Sequence, residues 1–212
     1  MSRRASYPPA VDLRPVRAAY STMAAPYIAL SDGGWPEHED DTALVRRHLT
    51  GLPGPVLDLG CGPGHWTAYL HSLGVQVRGV DMVPEFVAHA QATYPGVEFE
   101  LGVMTELDVA EHSVAGVLSW YSTIHLPPPA LDRVLAVFRR LLDSSGALVI
   151  GFFDSDDDVA AFDHKVVTAY RWPVDTFSRH LAKAGFTELQ RVRHRLPERP
   201  DRMYAAIAAR AS

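Results

Sequence analysis

The stretch Val56-Leu57-Asp58-Leu59-Gly60-Cys61-Gly62-Pro63-Gly64 constrains this chain more than any other. An apolar run carries a carboxylate and then breaks into glycines. That is the pattern of a buried parallel strand entering a tight, ligand-cradling turn. Nucleotide-binding turns of this shape ordinarily hold a phosphate on backbone N–H groups at a helix N-terminus. Asp58, two residues before Gly60, would set negative charge against that phosphate. At roughly 4 Å and an effective dielectric of about 20, like charges cost on the order of 4 kcal/mol. The turn therefore reads as a site for a cationic ligand.

An adenosine carrying a sulfonium and an ammonium meets that requirement, whereas one carrying a pyrophosphate does not. The glycine spacing agrees, because a GxGxxG dinucleotide fingerprint needs a small residue where His65 stands. A second short apolar strand, Gln76-Val77-Arg78-Gly79-Val80-Asp81, also ends in a carboxylate. Asp81 lies about 20 residues beyond the glycines, the usual place for an acid that binds ribose hydroxyls. Its structural alternative is a helix N-cap, since Pro84 and Glu85 follow as a first turn.

With 212 residues, of which 47% are hydrophobic and 21% charged, the chain is expected to form a single domain over 1–212. Within it, 1–15 is expected to be a flexible arm and 16–50 a pair of capping helices. A net charge of −5 offers no cationic excess, so nucleic acid is not an expected partner. No run approaches the ~18 apolar residues of a membrane span, and the basic N-terminus lacks the apolar core of a secretory signal. Cys61 is the only cysteine, which excludes an internal disulfide and suits a reducing cytoplasm. In its glycine turn it is expected to pack beside the ligand rather than act as a nucleophile. The oligomeric state is not readable from the sequence.

Along the chain the period of the apolar residues alternates between helical and extended. Helices are expected over 16–30, from an Asp40 or Asp41 N-cap through Leu49, over 64–73, and through Phe86, Val87 and Ala90. Two more follow, one proline-started through Leu131, Val134, Leu135, Phe138 and Leu141, and one through Phe177 and Leu181 that stops at Gly185. Strands are expected over 56–60, 75–81, 97–101, 114–120 and 147–153, with Val97, Phe99 and Leu101 sharing a face. The tail adds two consecutive strands near 186–192 and 204–209, which pair most simply as an antiparallel edge hairpin. The fold class is α/β, a mostly parallel sheet of seven strands with helices on both faces.

With both acids, the glycine turn and the terminal hairpin in hand, the chain resembles class I S-adenosylmethionine-dependent methyltransferases from about residue 16 to the C-terminus. VLDLGCGPG matches the family's first motif, and Val80-Asp81 its second. The run 102–107 stands where the family contacts adenine, 118–125 is similar to the fourth motif, and 19–27 to the capping helix of bacterial small-molecule members. The resemblance implies a Rossmann-like fold, S-adenosylmethionine as methyl donor and S-adenosylhomocysteine as product. It implies that Asp58, Gly60 and Gly62 line the methionine part, and that Cys61, Gly64, Trp66 and Thr67 in and after the turn also belong to the cofactor-binding set. Asp81 would take both ribose hydroxyls, Met82 and Met104 would cover adenine, and Ser119 and Trp120 would approach the sulfonium, with Tyr20 capping. Val103 departs from the acid that many relatives place near the adenine amine, so backbone groups would hold adenine here. Plain core packing is the alternative for Met82, Met104 and Trp66.

Methyl transfer from a sulfonium needs alignment above all, and a base only when the accepting atom begins protonated. His125, just past the fourth strand, is the candidate base with Tyr121 beside it; shaping the loop before Pro127 is the alternative. Tyr20, Tyr27, Trp35, Tyr121, Phe152, Phe153, Tyr170 and Trp172 can reach the sheet's C-terminal edge, and such density suits an aromatic or apolar small-molecule acceptor. Asp154, Asp156, Asp157 and Asp158 are read as solvated or capping residues, with no metal expected. Arg191, Arg193 and Arg195 are read as one solvent-facing side of a strand. Rival readings are a methyltransferase for RNA or protein, a protein of this fold catalysing a non-methyl reaction, and a cofactor-binding regulatory subunit.

Overall fold

The computed structural model describes residues 12–32, 38–196 and 199–212. Three helices come first, α1 (Arg14–Thr22), α2 (Ala24–Asp32) and α3 (Glu39–Leu49). Strands and helices then alternate through β1 (Val56–Leu59), α4 (His65–Ser72), β2 (Val77–Asp81), α5 (Pro84–Thr93), β3 (Glu98–Leu101), β4 (Val114–Trp120), α6 (Pro128–Leu141) and β5 (Leu142–Asp154). The chain continues through β6 (Ala160–Phe162), β7 (Ala169–Trp172), α7 (Val174–Lys183), β8 (Phe186–Leu196) and β9 (Arg199–Ala211).

The sheet runs β3-β2-β1-β4-β5 in parallel. β9 lies antiparallel along the other side of β5, from Ala147↔Arg210 to Asp154↔Met203, and β8 pairs antiparallel with β9 at the edge. The expected terminal hairpin is therefore present. Each central strand buries both faces. Val117, Ile150 and Phe152 pack under α6 and α7, while Leu118 and Val149 pack under α3 and α4. On α6 the residues Leu131, Val134, Leu135, Phe138 and Leu141 are buried, each stabilising by about 2 kcal/mol before entropy is counted. Strand order reverses between β1 and β4, and such a switch point opens a crevice at the carboxyl ends of the strands.

The structure corrects several expectations. Among the described residues the sheet has nine strands rather than seven, because the aspartate-rich segment after β5 folds into the antiparallel β6–β7 pair. β5 outruns β4, whose last partner pair is Trp120↔Gly151, and β7 pairs in parallel with Phe153 and Asp154 beyond it. The helix expected over 16–30 is two helices. Pro26 lacks an N–H and crowds the carbonyl four residues earlier, and the break falls at Met23, whose N–H reaches both Ala19 O and Tyr20 O. The cap of α3 is His38, whose Nδ1 accepts from Asp40 N–H at 3.3 Å, rather than Asp40 or Asp41. On β3 Phe99 is buried but Leu101 is 52% exposed. Residues 1–11 of the expected arm lie outside the described residues; it cannot run to 15, since Leu13 is buried and α1 starts at Arg14. No helix among the described residues is long and apolar enough to cross a membrane.

Candidate active site

The glycine turn leaves β1 at the switch point. Gly60, Gly62 and Gly64 all have positive φ (82°, 55° and 96°), which side chains resist. Space matters as much as φ at Gly60, where a Cβ would stand 2.3 Å from Ser122 Cβ. The missing side chain lets the turn touch the loop after β4. At Gly64 a Cβ would meet Ala90 and Phe99, so this glycine packs α4 against α5 and β3 instead of facing a ligand.

Two carboxylates organise the turn. Asp81 accepts from Gly62 N–H through Oδ2 and from Val83 N–H through Oδ1, both at 2.8 Å, so it ties the turn to the start of α5. The N-cap position itself belongs to Val83. Asp81 still faces the cavity, and carboxylate oxygens have lone pairs beyond those two bonds. Asp58 is 1% exposed and lies behind the turn. Thr67 Oγ1 donates to its Oδ2 at 2.7 Å, while Oδ1 is buried without a hydrogen-bond partner. Burial pushes the Asp58 carboxyl up to about 7, against the Thr67 bond, with a further push from Asp81. Burial likewise raises Asp81 to about 6. Two neighbouring buried carboxylates and an unsatisfied oxygen favour a positively charged ligand, the case argued from Asp58 in the sequence.

A cavity of about 480 Å³ opens from the turn. Among the expected site residues, Tyr20, Gly60, Gly62, Trp66, Asp81, Met82, Met104, Trp120, Tyr121 and His125 line it. Asp58, Cys61, Gly64, Thr67, Val103 and Ser119 do not. Cys61 packs with Val87, Ala90 and Phe99, and burial pushes its thiol up, so it is no nucleophile. Ser119 is buried and shares a hydrogen bond with Ser122 Oγ at 2.8 Å; Ser122, unremarked in the sequence, is the cavity residue of that pair. Val103 packs at the edge of the main core cluster. Trp66 brings a buried Nε1 without a partner to the cavity wall.

His125 is held at both nitrogens. Nδ1 stands 2.8 Å from the Thr168 carbonyl, which only accepts, so Nδ1 carries the hydrogen. Nε2 is then the acceptor for the Tyr20 hydroxyl at 2.9 Å. Burial pushes the imidazole down and the Tyr20 phenol up, so both stay neutral. His125 therefore has no lone pair turned to the cavity, and the direct-base expectation gives way to a latch that fastens α1 over the site. Tyr27 and Phe86 complete the latch by ring contacts with Tyr20 at 5.6 and 6.0 Å. Tyr121 holds a left-handed φ of 52°, a strained state for a tyrosine, and presents its ring to Phe153 and Tyr204.

Of the aromatic residues expected around the acceptor, Tyr20, Tyr27, Tyr121 and Phe153 line the cavity. Phe152 instead stacks on Phe177 at 4.0 Å, Trp172 is buried against Phe177 and His180, and Tyr170 lies outside the lining. Trp35 is outside the described residues. The far end of the cavity is built by residues that sequence reasoning missed, including Asp41, His164, Lys165, His194, Arg202 and Tyr204. A signal existed for one of them: alternation that points Arg191, Arg193 and Arg195 outward points His194 inward.

Those arginines and the acidic loop engage one another. Arg193 Nε donates to Asp154 Oδ2 at 2.5 Å and Nη2 to Asp156 at 2.9 Å, while Arg191 reaches Glu188 and Asp175. Asp154 also accepts from Val174 N–H at 3.1 Å, joining β5 to α7. No group of three or more His, Cys, Asp or Glu placed to hold a metal ion occurs among the described residues.

Residues 56–146 match the family model described as a methyltransferase domain. The chain is similar in structure to a Burkholderia thailandensis 1,6-didemethyltoxoflavin-N1-methyltransferase, solved with 1,6-didemethyltoxoflavin and S-adenosylhomocysteine. The TM-score is 0.81 at 25% identity, covering 98% of this chain and 93% of that one. The [4+2]-cyclase SpnF shares the fold, with a TM-score of 0.75 at 16% identity over 97% and 99% of the two chains. An uncharacterised methyltransferase from Synechocystis is 28% identical over 108 residues, 50% of this chain and 51% of the relative. The chain thus spans about half the length of that curated relative. The strand order and these matches give the chain the fold of the class I S-adenosylmethionine-dependent methyltransferases, and the glycine turn, the paired carboxylates and the S-adenosylhomocysteine bound in the neighbour support S-adenosylmethionine as cofactor.

Proposed function

We propose that the protein transfers a methyl group from S-adenosylmethionine to a small planar molecule. The observation that carries this reading is the glycine turn with its two buried carboxylates, Asp58 and Asp81, one of which has an unpartnered oxygen. A cationic sulfonium and ammonium offset that charge, and a pyrophosphate would add to it.

In this reading Gly60, Gly62 and Asp58 hold the methionine part, Asp81 the ribose, and Met82 and Met104 the faces of adenine. Asp58 acts from beneath the turn, since it does not line the cavity. Once bound, the cofactor supplies an electrophilic methyl group on a leaving group that departs neutral. The chain's own part is alignment and exclusion of water: α1 and α2 lie over the site, with Leu13, Val16, Tyr20, Tyr27 and Leu30 lining its wall. An aromatic wall of Tyr121, Phe153 and Tyr204, with ring centroids 5.3 to 6.0 Å apart, suits the flat face of a ring. The toxoflavin-type neighbour, with its small-molecule acceptor, supports the same class of substrate. Against an RNA acceptor, the arginines of β8 are already paired with acids.

SpnF shows that this fold also serves a cyclase, so transfer itself must be measured. A screen of ring N–H heterocycles, phenols, carboxylates and amines with S-adenosylmethionine, read by mass, is the test. Gain of one methyl by a planar heterocycle or phenol is expected. Methylation of RNA oligonucleotides with no small molecule modified would overturn the proposal.

A further inference from the structure

We propose that the methyl acceptor is a planar aromatic carboxylate, and that Lys165, with Arg202 beside it, recognises the carboxylate. The inference rests on the methyl-transfer reading and deepens it by naming the class of acceptor.

The element that carries Lys165 is built over the site. β4 accompanies β5 as far as Gly151, β7 then pairs with Phe153 and Asp154, and β6 pairs with β7. The segment between those two strands, 163–168, is fastened to the loop after β4. His125 Nδ1 donates to Thr168 O at 2.8 Å, and just beyond the segment Tyr170 N–H donates to Ile124 O at 2.8 Å. The His164 ring stands 5.4 Å from that of His125 and 5.9 Å from that of Phe153. Lys165 is the next residue and lines the cavity with its side chain exposed, so its ammonium is open to a ligand.

Arg202 reaches the same place from β9. Its neighbour Met203 pairs with Asp154, so Arg202 stands just past the carboxyl end of β5. Its guanidinium carbon lies 5.8 Å from the centre of the Phe153 ring and 6.0 Å from that of Phe162. Two cation-bearing segments therefore meet at Phe153, one of the three rings of the aromatic wall. A ring acid lying flat on Phe153 would bring its carboxylate to Lys165 and Arg202. The rest of the ring would extend along Tyr121, whose neighbour Ser122 touches the glycine turn at Gly60.

Charge points the same way. Arg191 and Arg193 on β8 are already met by acids, whereas Lys165 makes no ion pair among the described residues. Asp41, the acid at this end of the cavity, is 8% exposed and lies 3.3 Å from His194 Nε2. A carboxylate beside the Lys165 ammonium forms a charge-assisted hydrogen bond, and a neutral amide of the same shape does not.

That contrast supplies the test. Calorimetry is run on the S-adenosylhomocysteine complex with salicylate, indole-3-carboxylate and quinoline-2-carboxylate, each beside its primary amide. At least one acid should bind about tenfold more tightly than its amide, the usual scale of a hydrogen bond to a charged group. Lys165→Ala should abolish that preference, Lys165→Arg should keep it, and Arg202→Gln should reduce it, with S-adenosylhomocysteine affinity unchanged in all three. Because Lys165 is exposed, its substitution should leave the fold intact. No preference for any acid, or a preference that survives Lys165→Ala or is unchanged in Arg202→Gln, would overturn the proposal. A fall in S-adenosylhomocysteine affinity in Lys165→Ala would put the ammonium on the cofactor's own carboxylate and overturn it too. Failure of S-adenosylhomocysteine to bind the unmodified protein would instead overturn the methyl-transfer reading.

Discussion

Asp58 is where sequence and chemistry meet most closely. Its carboxyl is raised to about 7 from an unfolded value near 4, so the folded protein holds more protons than the unfolded chain between those limits. Stability from this group is therefore present at low pH and lost as pH rises through about 7. Buried His65, pushed down to about 4, pulls the other way below its unfolded pKa near 6.5, so the contribution is isolated by comparison with Asp58→Asn. The wild type should lose stability relative to that variant in urea melts as pH rises from 5 to 8. S-adenosylmethionine should restore more of the loss at pH 8 than at pH 6, because the cation selects the ionised carboxyl. A constant difference between the two proteins across this range would contradict the burial argument. Gly60 makes a second test. Gly60→Ala combines a left-handed backbone with a clash on Ser122, and about 3 kcal/mol of destabilisation is expected from chemical denaturation.

At the scale of elements, the short strands and the helices between them were legible because period and punctuation agreed. VLDL before the glycines, the proline start of α6 and Gly185 after α7 all fell close to the observed ends. The β6–β7 hairpin was not legible. Its strands are three and four residues long, carry no clean alternation, and exist because β5 leaves an uncovered side past Trp120. Similarly, Asp41 and His194 form a pair only through the approach of α3 to β8, which no local pattern records. The α1–α2 cover carries its own prediction. The hydrogen bond from Tyr20 to His125 is one of few that join it to the sheet side, and a typical net worth is about 1 kcal/mol. Tyr20→Phe should weaken S-adenosylhomocysteine binding roughly fivefold by calorimetry, with little change in melting temperature. An unchanged affinity would show that the latch does not hold the cover closed over the ligand.

For the whole molecule, stability and ligand recognition are separated across the sheet. Phe152, Phe177 and Trp172 pack together on the α7 side, away from the glycine turn. Phe177→Ala should cost about 3–5 kcal/mol in denaturant melts while the folded fraction keeps its cofactor affinity. The central claim is that the turn at residues 56–64 selects a cationic adenosine over a pyrophosphate. Calorimetry of the unmodified protein with S-adenosylmethionine, S-adenosylhomocysteine and NAD tests it most directly. Binding of the first two is expected, lost on Asp81→Ala, with no binding of NAD. Tight NAD binding without S-adenosylmethionine binding would contradict it.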